Sequence, residues 1–438
     1  MARQMKDSGI SWVGQIPEHW DVVRTKNCYT NKKQVVGEDA DSYERLALTL
    51  NGVIKRPKDD STGLQPEAFN GYQVLRKNEL VFKLIDLANV ATSRVGYSPY
   101  EGIVSPAYII LHPNHEDESK FGEYYFLSLW QREIFNHMGD DGVRSSLNAG
   151  DLLNIPYLLV PSDEKKKIVQ NLNEQCAEID TVIEKTKATI EEYKKLKQSV
   201  ITEAVTKGIR GTRKIKKSTI DYLGDYPSEW EISSINNLFA FLGGYAFKSE
   251  LFCDETANQV LRIGNIRNDE LLVDNKPIYI NDDYADIAKS SQIQPNDILF
   301  TMTGTRGKQD YFYTVCIKPD DVKDKNLYLN QRVGCFRSKQ NLDMRYYAYL
   351  LKVAQIKDFI FLFETGTANQ GNLGIETIRR TKLFVPPIEE QKEIANYIDK
   401  KCAEIDTLIS KKTALLEEME SYKKSVIYEY VTGKKEVL

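Results

Sequence analysis

The hexapeptide CAEIDT occurs twice in this chain of 438 residues, at Cys176–Thr181 and again at Cys402–Thr407. The likeness runs well past it. Laid without gaps, KATIEEYKKLKQSVITEAVT (Lys187–Thr206) falls on TALLEEMESYKKSVIYEYVT (Thr413–Thr432), with Ile183, Lys185, Ala188, Glu191, Glu192, Lys197, Ser199, Val200, Ile201, Glu203, Val205 and Thr206 recurring at one offset. Two copies at so long a period do not make a solenoid. They make a duplicated half-molecule.

The duplicated segments read as helices. Ile168, Leu172, Ile179, Val182, Ile183, Ile190, Tyr193, Leu196, Val200, Ile201 and Val205 recur at spacings of three and four, as do Ile394, Ile398, Ile405, Leu408, Ile409, Leu415, Leu416, Met419, Tyr422, Val426, Ile427 and Val431. Each segment follows a proline, Pro161 or Pro387, and carries acids in its first turn, where the helix dipole favours them. Gly208 and Gly433 stand where each helix should stop. Each helix is expected to run about 40 residues, hence roughly 60 Å at the usual rise per residue. A single apolar stripe of that length is most simply covered by the other copy, packed antiparallel.

A shorter repeat precedes each half. SWVGQIPEHWDV (Ser11–Val22) and DYLGDYPSEWEI (Asp221–Ile232) share an aromatic residue, then Gly, Pro and Trp at the same spacing. Between this motif and each helix lie two stretches that do not obviously match each other, about 23–159 and 233–384, with strand-like runs such as NELVF, GIVSPAYIIL and NDILFTMTG broken by shorter helical ones. Each is long enough for a mixed α and β core. A basic, glycine-containing linker lies within TKGIRGTRKIKKST (Thr206–Thr219).

Composition narrows the class. Hydrophobic content of 41% with 28% charged residues suits a globular protein. No run is long and apolar enough for a membrane span, and the N-terminus lacks an apolar signal core, so the expected location is the cytoplasm. The six cysteines have no CxxC spacing and the four histidines no zinc pattern; Cys176 and Cys402, at equivalent repeat positions, read as buried free thiols. A net charge of −4 argues superficially against nucleic acid, but binding depends on where the cations lie.

Catalytic signals fail on inspection. NIPY (Asn154–Tyr157) is similar to the Asn-Pro-Pro-Tyr loop of amino-methyltransferases but lacks the first proline and a glycine-rich cofactor loop upstream, so it reads as a strand beginning. GTRGKQ (Gly304–Gln309) has Gln309 where a phosphate loop needs Ser or Thr for magnesium. What remains is a set of basic and amide side chains near glycines and strand ends. In the first stretch these are Lys55, Arg56, Lys83, Arg94 and Arg144; in the second, Lys248, Arg262, Asn265, Arg267, Arg306, Lys308, Gln331, Arg332, Asn369 and Gln370. Such side chains make bidentate contacts with guanine and adenine edges and, when cationic, bind phosphates.

At this point the chain resembles a known family, the specificity subunits of type I restriction-modification systems, over nearly its whole length. The two Gly-Pro-Trp motifs, VPPIEEQKEIANYIDKKCAEIDTLI from Val385, GIVSPAY (Gly102–Tyr108) and GVRSSL (Gly142–Leu147) carry the resemblance. The first helix departs from the family's Glu-Gln pair, with Glu164–Lys165 where the second has Glu390–Gln391.

The resemblance implies an α+β fold, with two mixed α/β target recognition domains separated by two long antiparallel coiled-coil helices as a pseudo-two-fold repeat. The expected order is a recognition domain over 1–159, a helix over 160–208, a linker over 209–217, a second recognition domain over 218–384 and a second helix over 385–438. Each recognition domain would read one half of a split, asymmetric double-stranded DNA target, and the helices would set the unread gap. Two methyltransferase subunits would bring S-adenosylmethionine and flip the adenine, and ATP-driven restriction subunits would join them. The chain itself would hold no cofactor or metal and catalyse nothing. Two other readings stay open on the residues alone: a coiled-coil adaptor whose end domains bind proteins, and an enzyme in which NIPY is catalytic.

Overall fold

The structure, a computed structural model, describes residues 3–50, 52–60, 67–85, 87, 94–138, 146–367 and 369–437. The two periodic segments are helices, Ser162–Lys207 and Ile388–Val431. Gly208 and Gly433 lie just beyond them at φ +75° and +68°, the left-handed backbone that glycine adopts without a Cβ clash.

The chain divides into two compact units, residues 1–188 with 412–438, and residues 189–411. Each long helix is thus shared between units, where the sequence set 160–208 and 385–438 apart as segments of their own. The reason is the seam that the helices make within each unit. In the first, Cys176, Ile179 and Ile183 are buried with Val426, Ile427 and Tyr430. In the second, Ile201, Ala204 and Val205 are buried with Ile394, Ile398 and Cys402. Lys423 pairs with Asp180 at 2.6 Å and Lys187 with Glu420 at 3.6 Å in the first unit; Lys197 pairs with Asp406 at 2.7 Å and Arg210 with Glu393 at 2.9 Å in the second. In both, numbers rise on one helix as they fall on the other, so the pairing is antiparallel. Each buried aliphatic residue contributes about 1.5–3 kcal/mol and each exposed ion pair at most about 1 kcal/mol. The seam therefore holds the helices, and the ion pairs select the register.

Part of the expected stripe stays outside the seam. Val182, Leu196, Leu408 and Tyr422 are 42%, 49%, 42% and 48% exposed. Val182 and Leu408 occupy equivalent repeat positions, and so do Leu196 and Tyr422.

The short repeat has a shared task. Trp20 is fully buried and its indole N–H donates to Glu164 Oε2 at 2.5 Å; Trp230 is 3% exposed and donates to Glu390 Oε2 at 3.1 Å. Each glutamate lies in the first turn of a long helix, so one buried hydrogen bond anchors the helix start to the motif. The helix ends return to the same places. A Cβ on Gly433 would lie 2.5 Å from the Pro17 ring, and one on Gly208 would lie 3.2 Å from the Trp230 ring and 2.8 Å from Glu390 Oε1. Burial raises the Glu164 carboxyl, but Trp20, His19 and Arg3 outweigh it and hold the group below its ordinary value of 4.5.

Each unit also carries a four-stranded antiparallel sheet. In the first, β1 (Tyr29–Thr30), β2 (Leu80–Lys83), β3 (Arg94–Tyr97) and β4 (Ile109–Pro113) lie in the order β1-β4-β2-β3. In the second, β5 (Phe239–Gly243), β6 (Ile298–Thr301), β7 (Thr314–Cys316) and β8 (Val333–Ser338) lie in the order β5-β8-β6-β7. The two orders are the same, although the sequences do not visibly match. Helix Glu116–Gln131 covers the first sheet through Phe121 and Phe126; helix Met344–Leu350 covers the second through Tyr346 and Tyr347. The NIPY segment enters strand Pro156–Leu159, paired with Asp21–Arg24, and Tyr157 is buried with its hydroxyl on Glu118 at 2.7 Å.

The same carboxylate explains why Lys165 replaces the expected glutamine. Lys165 is 3% exposed and pairs with Glu118, itself 2% exposed, with Asp117 at 3.5 Å. At the equivalent place Gln391 accepts from the Asp343 backbone at 3.0 Å and donates to the Pro386 carbonyl at 2.7 Å. One half solves the buried position with an ion pair, the other with an amide.

Two stability predictions follow from these contacts. Glu164→Ala or Glu390→Ala strands a buried indole N–H and should cost about 1–3 kcal/mol in urea unfolding. The Glu164 contribution is present above its unfolded-state value and is lost as pH falls through the lower folded-state one, so the gap between wild type and Glu164→Ala should close in acid. Lys165→Met leaves Glu118 buried and unpaired and should cost about 3–5 kcal/mol, most of it recovered when Glu118→Gln is added. Equal stability of the single and double variants would contradict the ion-pair account.

Candidate nucleic-acid interface

The second unit gathers several of its candidate residues at one end of its sheet. Thr301 pairs with Val333 and Gly243 with Gly334, so the loops beginning at Met302 and Gly244 and the turn ending at Arg332 emerge on the same side. Gln331 and Arg332 are exposed in that turn, and the Arg332 carbonyl accepts from the Met302 backbone at 3.1 Å. Asn330 donates its backbone N–H to Leu261 at 3.0 Å, which brings Arg262 to the same end. A hairpin of Glu364–Thr367 and Gln370–Leu373 pairs with Thr303–Gly304, adding Asn369 and Gln370 beside Arg306 and Lys308. Arg306, Lys308, Asn369 and Gln370 are exposed. A glycine is required at 244, where a Cβ would lie 1.9 Å from the Asn330 carbonyl oxygen.

Other candidates from the sequence lie elsewhere. Asn265 is corrected by its burial: it is 2% exposed, its oxygen accepts from the Arg262 backbone at 2.9 Å, and its amide donates to Leu272 and Asn275, each at 2.9 Å. That side chain builds a turn and has nothing left for a base. Arg262 Nη2 donates to the Lys276 carbonyl at 3.0 Å, so its guanidinium is partly tied to the same turn. Arg267 is exposed on a separate hairpin of Ile266–Arg267 and Glu270–Leu271, whose turn residue Asp269 accepts from Thr314 at 2.7 Å. Lys248 is exposed before the turn Ser249–Leu251, with its backbone N–H on the Tyr284 hydroxyl at 2.8 Å.

In the first unit, Lys83 is half-buried at the end of β2 and stands opposite Arg94 in register. This strand end corresponds in topology to Thr301 in the second unit. Leu147, the last residue of the GVRSSL motif, donates its backbone N–H to Leu84 at 3.0 Å, as Leu373 in the second unit's hairpin does to Met302 at 3.2 Å. Arg144 lies outside the described residues. Lys55 and Arg56 are not brought to Lys83: Lys55 lies 5.7 Å from the Tyr100 ring, past the Tyr97 end of β3, and Arg56 donates to Asp60 at 2.7 Å.

Two residues that shape the second interface were absent from the sequence-derived set. Glu364 accepts from Tyr311 at 2.7 Å and from the Gly307 backbone at 2.9 Å. Tyr311 is buried, and burial together with Glu364 pushes its phenol up, so it serves as a donor at any ordinary pH. An acidic residue gave no signal in a search for cations and amides. Among the described residues, no group of His, Cys, Asp and Glu side chains is placed to hold a metal, and no helix is long and apolar enough to cross a membrane.

A profile of the type I restriction modification DNA specificity domain matches residues 227–418. The type I restriction enzyme MjaVIII specificity subunit of Methanocaldococcus jannaschii is 24% identical over 87% of this chain and 85% of its own length. A second protein of that organism, described as the MjaX specificity subunit of a type I restriction enzyme, is 25% identical over 90% of this chain and 89% of its own. The chain is similar to type I restriction enzyme specificity subunits over most of its length. The matched domain is described as one of DNA specificity. Solved structures share the fold: one from a study of complex assembly and conformational transition of the type I system aligns over 96% of this chain and 99% of that one, with a TM-score of 0.70 at 13% identity. The HsdS subunit of Thermoanaerobacter tengcongensis aligns over 96% and 98%, with a TM-score of 0.50 at 13% identity.

Proposed function

We propose that this specificity subunit reads a split, asymmetric double-stranded DNA target, one half with each compact unit. The observation that carries the reading is the repetition of one sheet order in both units with different side chains on the loops at the strand ends. Identical readers would suit a palindrome, whereas one scaffold with two sets of side chains suits two unlike half-sites. Lys83, Arg94 and Arg144 belong to the first reader. Arg262, Arg306, Lys308, Gln331, Arg332, Asn369 and Gln370 belong to the second, with Lys55, Arg56, Lys248 and Arg267 left as phosphate contacts or plain surface.

The chain also acts as a scaffold for two methyltransferase subunits, which bring S-adenosylmethionine, and through them for restriction subunits. Two exposed apolar patches support this. Val182 and Tyr422 are exposed in the first unit and Leu196 and Leu408 in the second. Exposed apolar side chains at duplicated positions fit two copies of one protein partner. The net charge of −4 fits a reader whose partners share the phosphate contacts, so the isolated chain should bind DNA weakly. The cytoplasm is the proposed location.

Exchanging residues 23–159 for another recognition domain should change one half of the methylated target and leave the other intact, as read by sequencing of modified adenines. A change in both halves would overturn the one-unit, one-half assignment. Leu196→Glu combined with Leu408→Glu should lower the methyltransferase content from two copies to one in native mass spectrometry. Two retained copies would remove the patch from the docking surface.

A further inference from the structure

The loop Gly304–Tyr311 and the hairpin Glu364–Leu373 are separated by more than fifty residues of sequence yet are built as one piece. Thr303 and Gly304 pair with Asn372 and Gly371, which attaches the loop to the hairpin through the backbone. The loop itself is tight. Gly307 and Gln309 have φ +75° and +50°, and Thr305 donates its backbone N–H to Asp310 at 2.7 Å. Left-handed backbone at a non-glycine residue such as Gln309 is held only where the surroundings impose it.

Glu364, from the hairpin, reaches this loop at two points. One carboxylate oxygen accepts from the Tyr311 hydroxyl at 2.7 Å at the base of the loop, and the other accepts from the Gly307 backbone at 2.9 Å near its tip. Gly371 makes room for this arrangement, since a Cβ there would lie 2.2 Å from Glu364 Oε1 and 2.8 Å from the Tyr311 hydroxyl. Across the same junction, Arg306 Nη1 donates to the Gly366 carbonyl at 3.1 Å while the residue remains exposed. A carboxylate beside a polyanion would ordinarily repel it. Here both oxygens are occupied by protein donors, which suits a bracing part more than a contact.

We propose that Glu364 is a positioning residue for target discrimination, bracing the loop that carries Arg306 and Lys308 against the hairpin that carries Asn369 and Gln370. This rests on the DNA-reading assignment above and deepens it. A bidentate arginine contact with a base edge tolerates little angular error. Releasing the loop should therefore blur which base is accepted more than it weakens attachment to phosphates.

The test uses the full chain assembled with its methyltransferase subunits. The substrates are duplexes carrying the complex's own methylated target and single-base changes in either half. The second half is defined as the one that exchange of residues 23–159 leaves unaltered. Glu364→Gln removes one charge-assisted acceptor and should reduce discrimination in the second half by roughly tenfold, with discrimination in the first half and the thermal midpoint unchanged. Tyr311→Phe, which keeps the Gly307 contact, should show a smaller loss confined to the same half, and it decides the matter if Glu364→Gln does not fold. Intact discrimination in both variants, with Arg306→Ala still impaired, would overturn the bracing role and leave the reader in place. Intact discrimination in Arg306→Ala, Gln370→Ala and Glu364→Gln alike would overturn both.

Discussion

A buried indole needs an acceptor for its N–H, and in this chain that need is met twice by the first-turn glutamate of a long helix. Trp20 with Glu164 and Trp230 with Glu390 fix where each helix leaves its unit. An unsatisfied N–H at either place would cost as much as a good part of a small domain's stability. The Pro and Gly around each tryptophan then have a role, since they shape the turn onto which Gly433 and Gly208 close. The helix seams, and with them the membership of each unit, follow from where the helices are anchored.

From that anchorage the functional surfaces follow in order. Burying one part of each apolar stripe leaves Val182, Leu196, Leu408 and Tyr422 exposed at duplicated positions. Anchoring the strands that lead into each helix, Pro156–Leu159 and Lys382–Val385, to the strands that follow each tryptophan leaves the sheet ends and their loops to vary. The same division separates Lys165 from Gln391: different residues, one buried position, each satisfied locally.

How much of this was legible in the sequence depended on the kind of information each feature carries. The long helices could be read because periodicity of three and four over so many residues has no other cheap explanation. Their exposed stripe residues could not be separated from the buried ones, because apolarity does not say which partner covers it. The shared sheet order was invisible because backbone hydrogen bonds define it and the side chains on it differ. Asn265 was misjudged because an amide that caps a turn and an amide that reads a base are the same residue type. Glu364 was missed for the opposite reason: its charge is wrong for DNA, and its two protein donors, far away in sequence, are visible only in the structure.

The most direct measurement is a map of modified adenines in cells co-expressing this chain with the methyltransferase subunit encoded beside it, against cells lacking this chain. The account predicts a two-part motif with an unread gap, present only when the chain is present. An unmodified genome despite a purified complex of the two subunits would contradict it.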